Sequence, residues 1–325
     1  MKRYLLTGAA GFIGARVGEL LLEEGAEVIG IDNLNHAYDV RLKHWRLERL
    51  QAHPNFHFLH LDIREREALS EAFARFAPFD AVINLAARAG VPYSVSDPWI
   101  YFETNVTGTL NLLEASRRFG VAKFVLASTS SLYGVMNPMP FREDADTSHP
   151  LSPYAASKKA AETLCYTYHH LYGLDVTIFR YFTVYGPAGR PDMSLFRFCQ
   201  WIAEGRPLVL YGDGSFSRDF TYVDDIAHGT LLGLKPMGYE VINLGSDQPH
   251  TMREAIAILE RALGKPAQIE YHPPQAVDMP ATWADITKAR TLLGWEPKIS
   301  LEEGLNRLVQ WYLTERSWAS QIQTV

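Results

Sequence analysis

The chain has 325 residues, 47% of them hydrophobic and 21% charged, enough for one large core or two smaller ones. A net charge of −6 excludes the basic surface of a non-specific nucleic-acid binder. Cys165 and Cys199 sit in apolar surroundings and read as reduced core residues, and the histidines show no ligand spacing, so no metal is expected. No apolar run approaches the ~20 residues of a membrane span, and the start of the chain has no small-residue cleavage site, so a cytoplasmic location is expected.

Residues 4–7 are predicted to form a short buried strand. It leads into Gly8-Ala9-Ala10-Gly11-Phe12-Ile13-Gly14 and then an amphipathic helix ending near Glu24. In this G-x-x-G-x-x-G spacing Gly8 permits a tight turn, Gly11 a close approach of backbone to a pyrophosphate, and Gly14 the packing of helix on strand. The helix N-terminus offers amides and a positive dipole to phosphates. A second strand, 26–32, ends at Asp32, about 20 residues after the glycines, where a ribose-binding acid belongs. A carboxylate there repels a 2′-phosphate, so NAD is expected rather than NADP.

The alternation continues with strands at 56–60, ending near Asp62-Ile63, at 81–85, followed by Ala86-Ala87, and at 124–128 and 176–180. Helices lie between, including 100–119 and 153–172. Buried strands alternating with helices predict an α/β fold with a doubly wound parallel sheet. Its ligands bind beyond the strand C-termini. Gly8, Asp32, Asp62, Ala86-Ala87-Arg88, Ser128 to Ser131 and Tyr181 to Thr183 are therefore expected to line one crevice.

Two stretches carry candidate chemistry. Ser128-Thr129-Ser130-Ser131 puts hydroxyls at the end of a sheet strand, as a polar turn or as substrate contacts. In Ser152-Pro153-Tyr154-Ala155-Ala156-Ser157-Lys158, Ser152 can cap a helix and Pro153 suits its first turn. Tyr154 and Lys158 then share a face at i and i+4. A lysine beside a phenol favours the phenolate and makes it a usable general base. Alone, such a spacing is more often an ordinary surface pair. With a nucleotide site and Thr129 as hydroxyl partner, it reads as catalytic.

These residues together resemble the sugar-nucleotide branch of the extended short-chain dehydrogenases/reductases, over nearly the whole chain. Arg180-Tyr181-Phe182-Thr183-Val184-Tyr185-Gly186-Pro187 and Arg218-Asp219-Phe220-Thr221-Tyr222-Val223-Asp224-Asp225 are similar to that branch's later motifs. The resemblance implies a catalytic trio of Thr129, Tyr154 and Lys158. It implies NAD contacts from Gly8, Gly11, Phe12, Ile13, Gly14, Asp32, Asn33, Asp62, Ile63, Leu85, Ala86 and Ala87, with Tyr154 and Lys158. It implies substrate contacts from Arg88, Ser130, Ser131, Thr183, Arg190, Arg218 and Asp278, Arg218 on the UDP diphosphate.

Related dehydratases and decarboxylases place acids where this chain has Ser130-Ser131. Hydroxyls there point to C4 epimerisation that leaves the carbon skeleton intact. The stretch from Asp32 to Lys43, Ala87-Arg88-Ala89-Gly90-Val91 and Gly189-Arg190-Pro191-Asp192-Met193 resemble UDP-glucuronate 4-epimerases. Thr183, where glucose/galactose epimerases carry Asn, leaves room for a C6 carboxylate. A UDP-glucose/galactose 4-epimerase, a net dehydrogenase and a non-catalytic nucleotide sensor remain as alternatives.

Beyond Pro187 the alternation weakens. Helices are predicted at 193–204, 224–234, 252–263 and 301–314, strands at 208–211 and 241–244, and a turn at 212–215. The expected division is a cofactor domain at 1–180, with a return strand near 241–244, and a substrate lobe at 181–325. Tyr211, Phe216 and Phe220 are candidates for stacking on uracil, with core packing the alternative. Apolar residues on several faces of helices 100–119 and 153–172, such as Leu164, Tyr168 and Leu171, fit the dimer bundle that the resemblance implies; a monomer is equally compatible with composition.

Overall fold

The computed structural model describes residues 1–274 and 279–324. Strands β1 (Arg3–Thr7), β2 (Glu27–Asp32), β3 (Phe56–His60), β4 (Ala81–Asn84), β5 (Lys123–Thr129) and β6 (Asp175–Tyr181) alternate with helices. Then come β7 (Thr183–Tyr185), β8 (Pro207–Tyr211), β9 (Ser217–Tyr222), β10 (Tyr239–Leu244), β11 (Pro249–Thr251) and β12 (Gln268–His272).

A 7-stranded parallel sheet runs in the order β10-β6-β5-β4-β1-β2-β3. The central strands are apolar throughout because helices cover both sheet faces, and every residue of β5 is buried. The chain winds from β1 outward to β3, then crosses back to β4 on the other side of β1. That reversal opens a crevice above the ends of β1 and β4, the usual ligand position in such sheets. Two apolar clusters line the two sides of the sheet. A third is built from Phe196, Phe198, Trp201, Tyr222, Leu308 and Trp311 and fills the later lobe.

Helix Pro153–Tyr172 forms over the expected residues. The Ser152 hydroxyl accepts a hydrogen bond from the Ala155 amide at 3.2 Å, and Gly173 closes the helix with φ +68°. The helix expected over 100–119 forms as one continuous helical path from Pro98 to Arg118, with a π-turn inside it. Helix Pro98–Phe102 passes into a π-turn at Glu103–Thr107 before helix Gly108–Arg118 resumes. Thr104-Asn105-Val106-Thr107-Gly108 is a run of poor helix formers, and Asn105 finds better partners off the helix.

Small sheets assemble the second lobe. The order β11-β9-β7 sets Thr183 opposite Phe220, with Arg218 one strand pleat away. Strand β12 pairs with β8. Phe220 is 3% exposed and packs edge-on against Tyr185, so core packing is the outcome for that ring. Tyr168 likewise turns inward and donates to Glu114, whereas Leu171 and Tyr172 are exposed.

Candidate active site

The glycine turn forms a cradle that side chains would fill. Gly8 has φ +68°, and a Cβ there would lie 2.8 Å from the Ala86 amide nitrogen and from the Leu85 carbonyl carbon. A Cβ on Gly14 would lie 2.0 Å from the Gly8 carbonyl oxygen. Helix Phe12–Glu23 begins at Gly11 with no side-chain cap and no acid in its first turn, so its leading amides face the crevice unmasked. This is the donor arrangement that a dinucleotide diphosphate requires, and the residues fit one. Ile13 packs into the core beneath. On the other side of the crevice the Ala86 amide donates to the Thr7 hydroxyl at 3.2 Å, fixing Leu85-Ala86-Ala87 over the switch point.

Asp32 ends β2 nearly buried. Its carboxylate accepts from the Ala10 amide at 3.1 Å and the Leu34 amide at 2.9 Å. Lys43 was not singled out from sequence, yet its Nζ lies 3.9 Å from Asp32 and donates to the Asn35 carbonyl at 2.8 Å. Burial pulls Lys43 down to about 8, against the pull of Asp32 and with Arg46, Arg88 and Arg190 adding to it. Asp32 is thus the acid that stands against several cations. Removing it leaves those cations without that acid. Asp32→Ser is expected to shift the preference between NAD and NADP toward NADP by at least about tenfold, roughly the 1.4 kcal/mol of one modest charge interaction, measured by competitive binding of the two dinucleotides. An unchanged preference would remove Asp32 from this role.

Asn33 donates to Asp62 at 2.7 Å, and Arg64 grips the same carboxylate through its amide, Nε and Nη2. Burial raises the Asp62 pKa, but the Arg64 bonds outweigh it and hold the group below the ordinary carboxylate range. The Ile63 carbonyl accepts from Asn111 at 3.0 Å. Asp62 therefore acts first on the protein, locking Asn33 beside Asp32.

At the ends of β5 and the following turn, the Thr129 hydroxyl accepts from the Ser131 amide at 3.1 Å. Tyr154 lies across from it, its ring edge-on to Tyr101 at 6.0 Å. Burial raises the Tyr154 pKa; the Thr129 hydrogen bond and the Arg190 charge partly offset it. One expectation is corrected here. Lys158 is not among the groups depressing the phenol. Its ammonium is turned to the Ala127 carbonyl at 2.7 Å and is buried. Burial brings Lys158 down to about 8, opposed by Glu162.

Glu162 and Asn105 escaped the sequence reading. Glu162 accepts from Ser128 at 2.6 Å and takes both arms of Arg180 at 3.0 and 2.9 Å, all nearly buried. Asn105, in the π-turn, accepts from the Arg88 amide at 2.8 Å and donates to the Arg88 carbonyl at 3.0 Å. It also donates to Ser157 at 2.9 Å, and Ser157 donates to the Tyr154 carbonyl at 2.8 Å. A single amide thus ties the Arg88 loop to the Tyr154 helix. The visible signal for Asn105 was the run of poor helix formers around it. The signal for Glu162 was its place four residues after Lys158.

Thr129↔Tyr181 is the last register pair of β5 and β6, so Ser130-Ser131 and Thr183 leave adjacent strands at the same end of the sheet, all partly exposed. Arg88 donates to Asn35 at 3.3 Å. Arg190 pairs with Asp192 and donates to the Ala89 carbonyl at 3.3 Å, with its charge felt at Tyr154. Arg218 donates to the Ser217 carbonyl at 2.8 Å on β9. Asp278 lies outside the described residues.

The GDP-mannose 4,6 dehydratase family matches residues 5–308. A UDP-glucuronate 4-epimerase of Thermodesulfobacterium geofontis is 59% identical over 312 residues, 96% of this chain and 96% of that one. The crystal structure of UDP-glucuronic acid 4-epimerase from Bacillus cereus with UDP-glucuronic acid and NAD is 37% identical, with a TM-score of 0.90 over 96% of this chain and 99% of that one. A Thermotoga maritima UDP-glucose 4-epimerase with UDP-glucose is 34% identical, with a TM-score of 0.89 over 97% and 99%. The glycine cradle, the acid at the end of β2 and, through Thr129, the Tyr154–Lys158 helix stand at the same end of one parallel sheet in a chain matched almost from end to end, and the chain belongs to the extended short-chain dehydrogenase/reductase family of nucleotide-sugar enzymes.

Proposed function

We propose that the protein interconverts UDP-glucuronate and UDP-galacturonate by epimerisation at C4, with NAD retained in the crevice. The observation that carries this reading is the acid-free hydroxyl row of Ser130, Ser131 and Thr183 beside Thr129 and Tyr154, in a chain 59% identical to a UDP-glucuronate 4-epimerase. NAD supplies acceptance of the C4 hydride and its return to the opposite face. Tyr154 removes the O4 proton and later gives it back, with Thr129 bridging the sugar hydroxyl and the phenol. Lys158 adds positive charge beside the phenolate and a donor for the nicotinamide ribose. It comes to bear by turning from the Ala127 carbonyl. Arg218 and Arg190 hold the anionic parts of the substrate.

Oxidation at C4 makes the uronate a β-keto acid, which loses CO₂ when its C5–C6 bond aligns with the carbonyl π system. Directional hydrogen bonds from Ser130, Ser131 and Thr183 to the carboxylate hold it out of that alignment. The double variant Ser130→Ala with Thr183→Ala is expected to release a UDP-4-keto-pentose as at least a few per cent of turnovers, and to bind the uronate about tenfold more weakly through the lost hydrogen bonds. NMR of the product mixture checks this, and intact hexuronate as sole product with unchanged affinity would sink the clamp.

The deciding experiment incubates the purified protein with UDP-glucuronate, UDP-glucose and UDP-xylose in turn, without added NAD, and resolves products by NMR. Turnover of UDP-glucose alone would transfer the assignment to a neutral hexose. No turnover even with NAD supplied would favour a nucleotide sensor. A second copy of the chain fits the exposed Tyr166, Leu171 and Tyr172 on helix Pro153–Tyr172 and Leu110 on its neighbour, which supports a homodimer through this helix pair. Two free buried thiols, Cys165 and Cys199, support residence in the reducing cytoplasm.

A further inference from the structure

Arg46 lies on helix Arg41–Gln51, remote from the hydroxyl row, and is 3% exposed. Its Nε and Nη2 donate to the Ala188 carbonyl at 3.0 and 2.5 Å, and Nη2 also to the Gly189 carbonyl at 3.3 Å. Its Nη1 donates to the Ala10 carbonyl at 3.1 Å and the Tyr38 phenol oxygen at 2.8 Å. The guanidinium lies 5.8 Å from the Phe12 ring centroid and 5.6 Å from that of Tyr38. Among the described residues, none of these partners is a carboxylate. A buried cation held directly only by carbonyls and a phenol makes no close ion pair; the acid beside it is Asp32, which accepts from the amide of the same Ala10 and is shared with Lys43.

The carbonyls it joins belong to different sites. Ala10 lies inside the glycine turn. Ala188 and Gly189 immediately precede Arg190, and Ala188 adopts φ +50°, a left-handed conformation that a non-glycine residue keeps only when its surroundings impose it. Gly189 rests near Phe12, the first residue of the cofactor helix: a Cβ there would lie 3.8 Å from the Phe12 ring. One fork therefore spans the cofactor turn and the loop that presents Arg190.

We propose that Arg46 is the strut through which an occupied dinucleotide site shapes the Arg190 loop, the bound diphosphate adding negative charge to a group of cations, Lys43, Arg46, Arg88 and Arg190, that has Asp32 as its nearby acid. This rests on the reading that NAD occupies the glycine crevice. An anion over the helix N-terminus favours the arrangement in which Arg46 stays clamped on Ala10, Ala188 and Gly189. A ligand shifts an equilibrium only by its differential affinity for the two states, and this charge supplies the difference. By linkage, a sugar nucleotide that uses the ordered loop tightens NAD by the same factor. Arg46 is a positioning residue and touches no reacting atom.

The test is the affinity of UDP for protein stripped of cofactor and for protein saturated with NAD, measured by calorimetry for wild type, Arg46→Met and Arg46→Lys. NAD is expected to tighten UDP about tenfold in wild type, under twofold in Arg46→Met, and no more than threefold in Arg46→Lys, which keeps the charge but not the fork. Should Arg46→Met not fold, Arg46→Lys decides the matter. A purely structural arginine would lower the melting temperature of both variants and leave the tenfold coupling intact, overturning the proposal. Wild type that binds both ligands without coupling would overturn it alone. Wild type that binds UDP but no NAD would overturn the functional reading with it.

Discussion

Tyr154→Phe is expected to bind UDP-glucuronate within about twofold of wild type and to lose on the order of 10³-fold in kcat, the usual worth of a positioned general base. The substitution deletes one oxygen. The ring keeps its edge contact with Tyr101, and Ser157 still bonds the backbone carbonyl of residue 154. Thr129 remains in place, but an aliphatic hydroxyl cannot take the O4 proton at neutral pH. Calorimetry for affinity and NMR for turnover separate the two effects. Turnover within tenfold of wild type would remove Tyr154 as the base. A parallel loss of binding would make it a substrate-holding residue. Burial raises the phenol's pKa before ligands arrive, with Thr129 and Arg190 only partly offsetting it, so the proposed mechanism needs further positive charge at assembly, which Lys158 can bring by turning from the Ala127 carbonyl.

Glu162→Ala is expected to cost about 3–5 kcal/mol of folding stability, the cost of leaving a buried charge without its partner. Arg180 is held by both Glu162 oxygens, by the Tyr133 phenol at 3.1 Å and by the Glu143 carbonyl at 3.1 Å, and its guanidinium lies 5.0 Å from the Tyr133 ring. Removing the carboxylate strands Arg180 and frees Ser128, the residue before Thr129. Chemical denaturation measures the loss, and a change under about 1 kcal/mol would show that water reaches the pair. The gentler Glu162→Gln has a second readout. The Glu162 charge favours protonated Lys158, so neutralising it lowers the lysine pKa further below about 8. In the proposed mechanism Lys158 works as a cation, so the alkaline limb of the kcat profile should move to lower pH. An unmoved limb would confine Glu162 to stability.

The parallel sheet was legible because strands buried on both faces are continuous apolar runs bounded by turn residues, as in β4 and β5. Helix Pro153–Tyr172 was legible for a different reason: Ser152, Pro153 and Gly173 mark its ends by local chemistry alone. The π-turn was not, since an uninterrupted helix over 100–119 satisfies the apolar pattern. What accompanies the widened turn is Asn105 reaching Arg88 and Ser157, residues distant in sequence. Arg46 sits in the charged run Arg41-Leu42-Lys43-His44-Trp45-Arg46, which reads as a solvated helix face. Only the later loop at Ala188 buries it. Strands β7 and β11 are too short for their patterns to stand out, so the bringing together of Thr183 and Arg218 had no local signal. The lysine–phenol interaction was inferred from spacing, which fixes a shared helix face but not where a long side chain ends.

Strand β10 joins the 7-stranded sheet beside β6 only after much of the second lobe has been traversed in sequence. Until it arrives, β6 is an unpaired edge of apolar strand, the kind of template on which a growing or partly folded chain pairs wrongly. Asn243 of β10 then accepts from Tyr133 at 2.6 Å, locking the newcomer to the Arg180 network. The segment that follows the six alternating strands is thus also the one that returns to seal the edge of their sheet, which stays open until synthesis has passed residue 244.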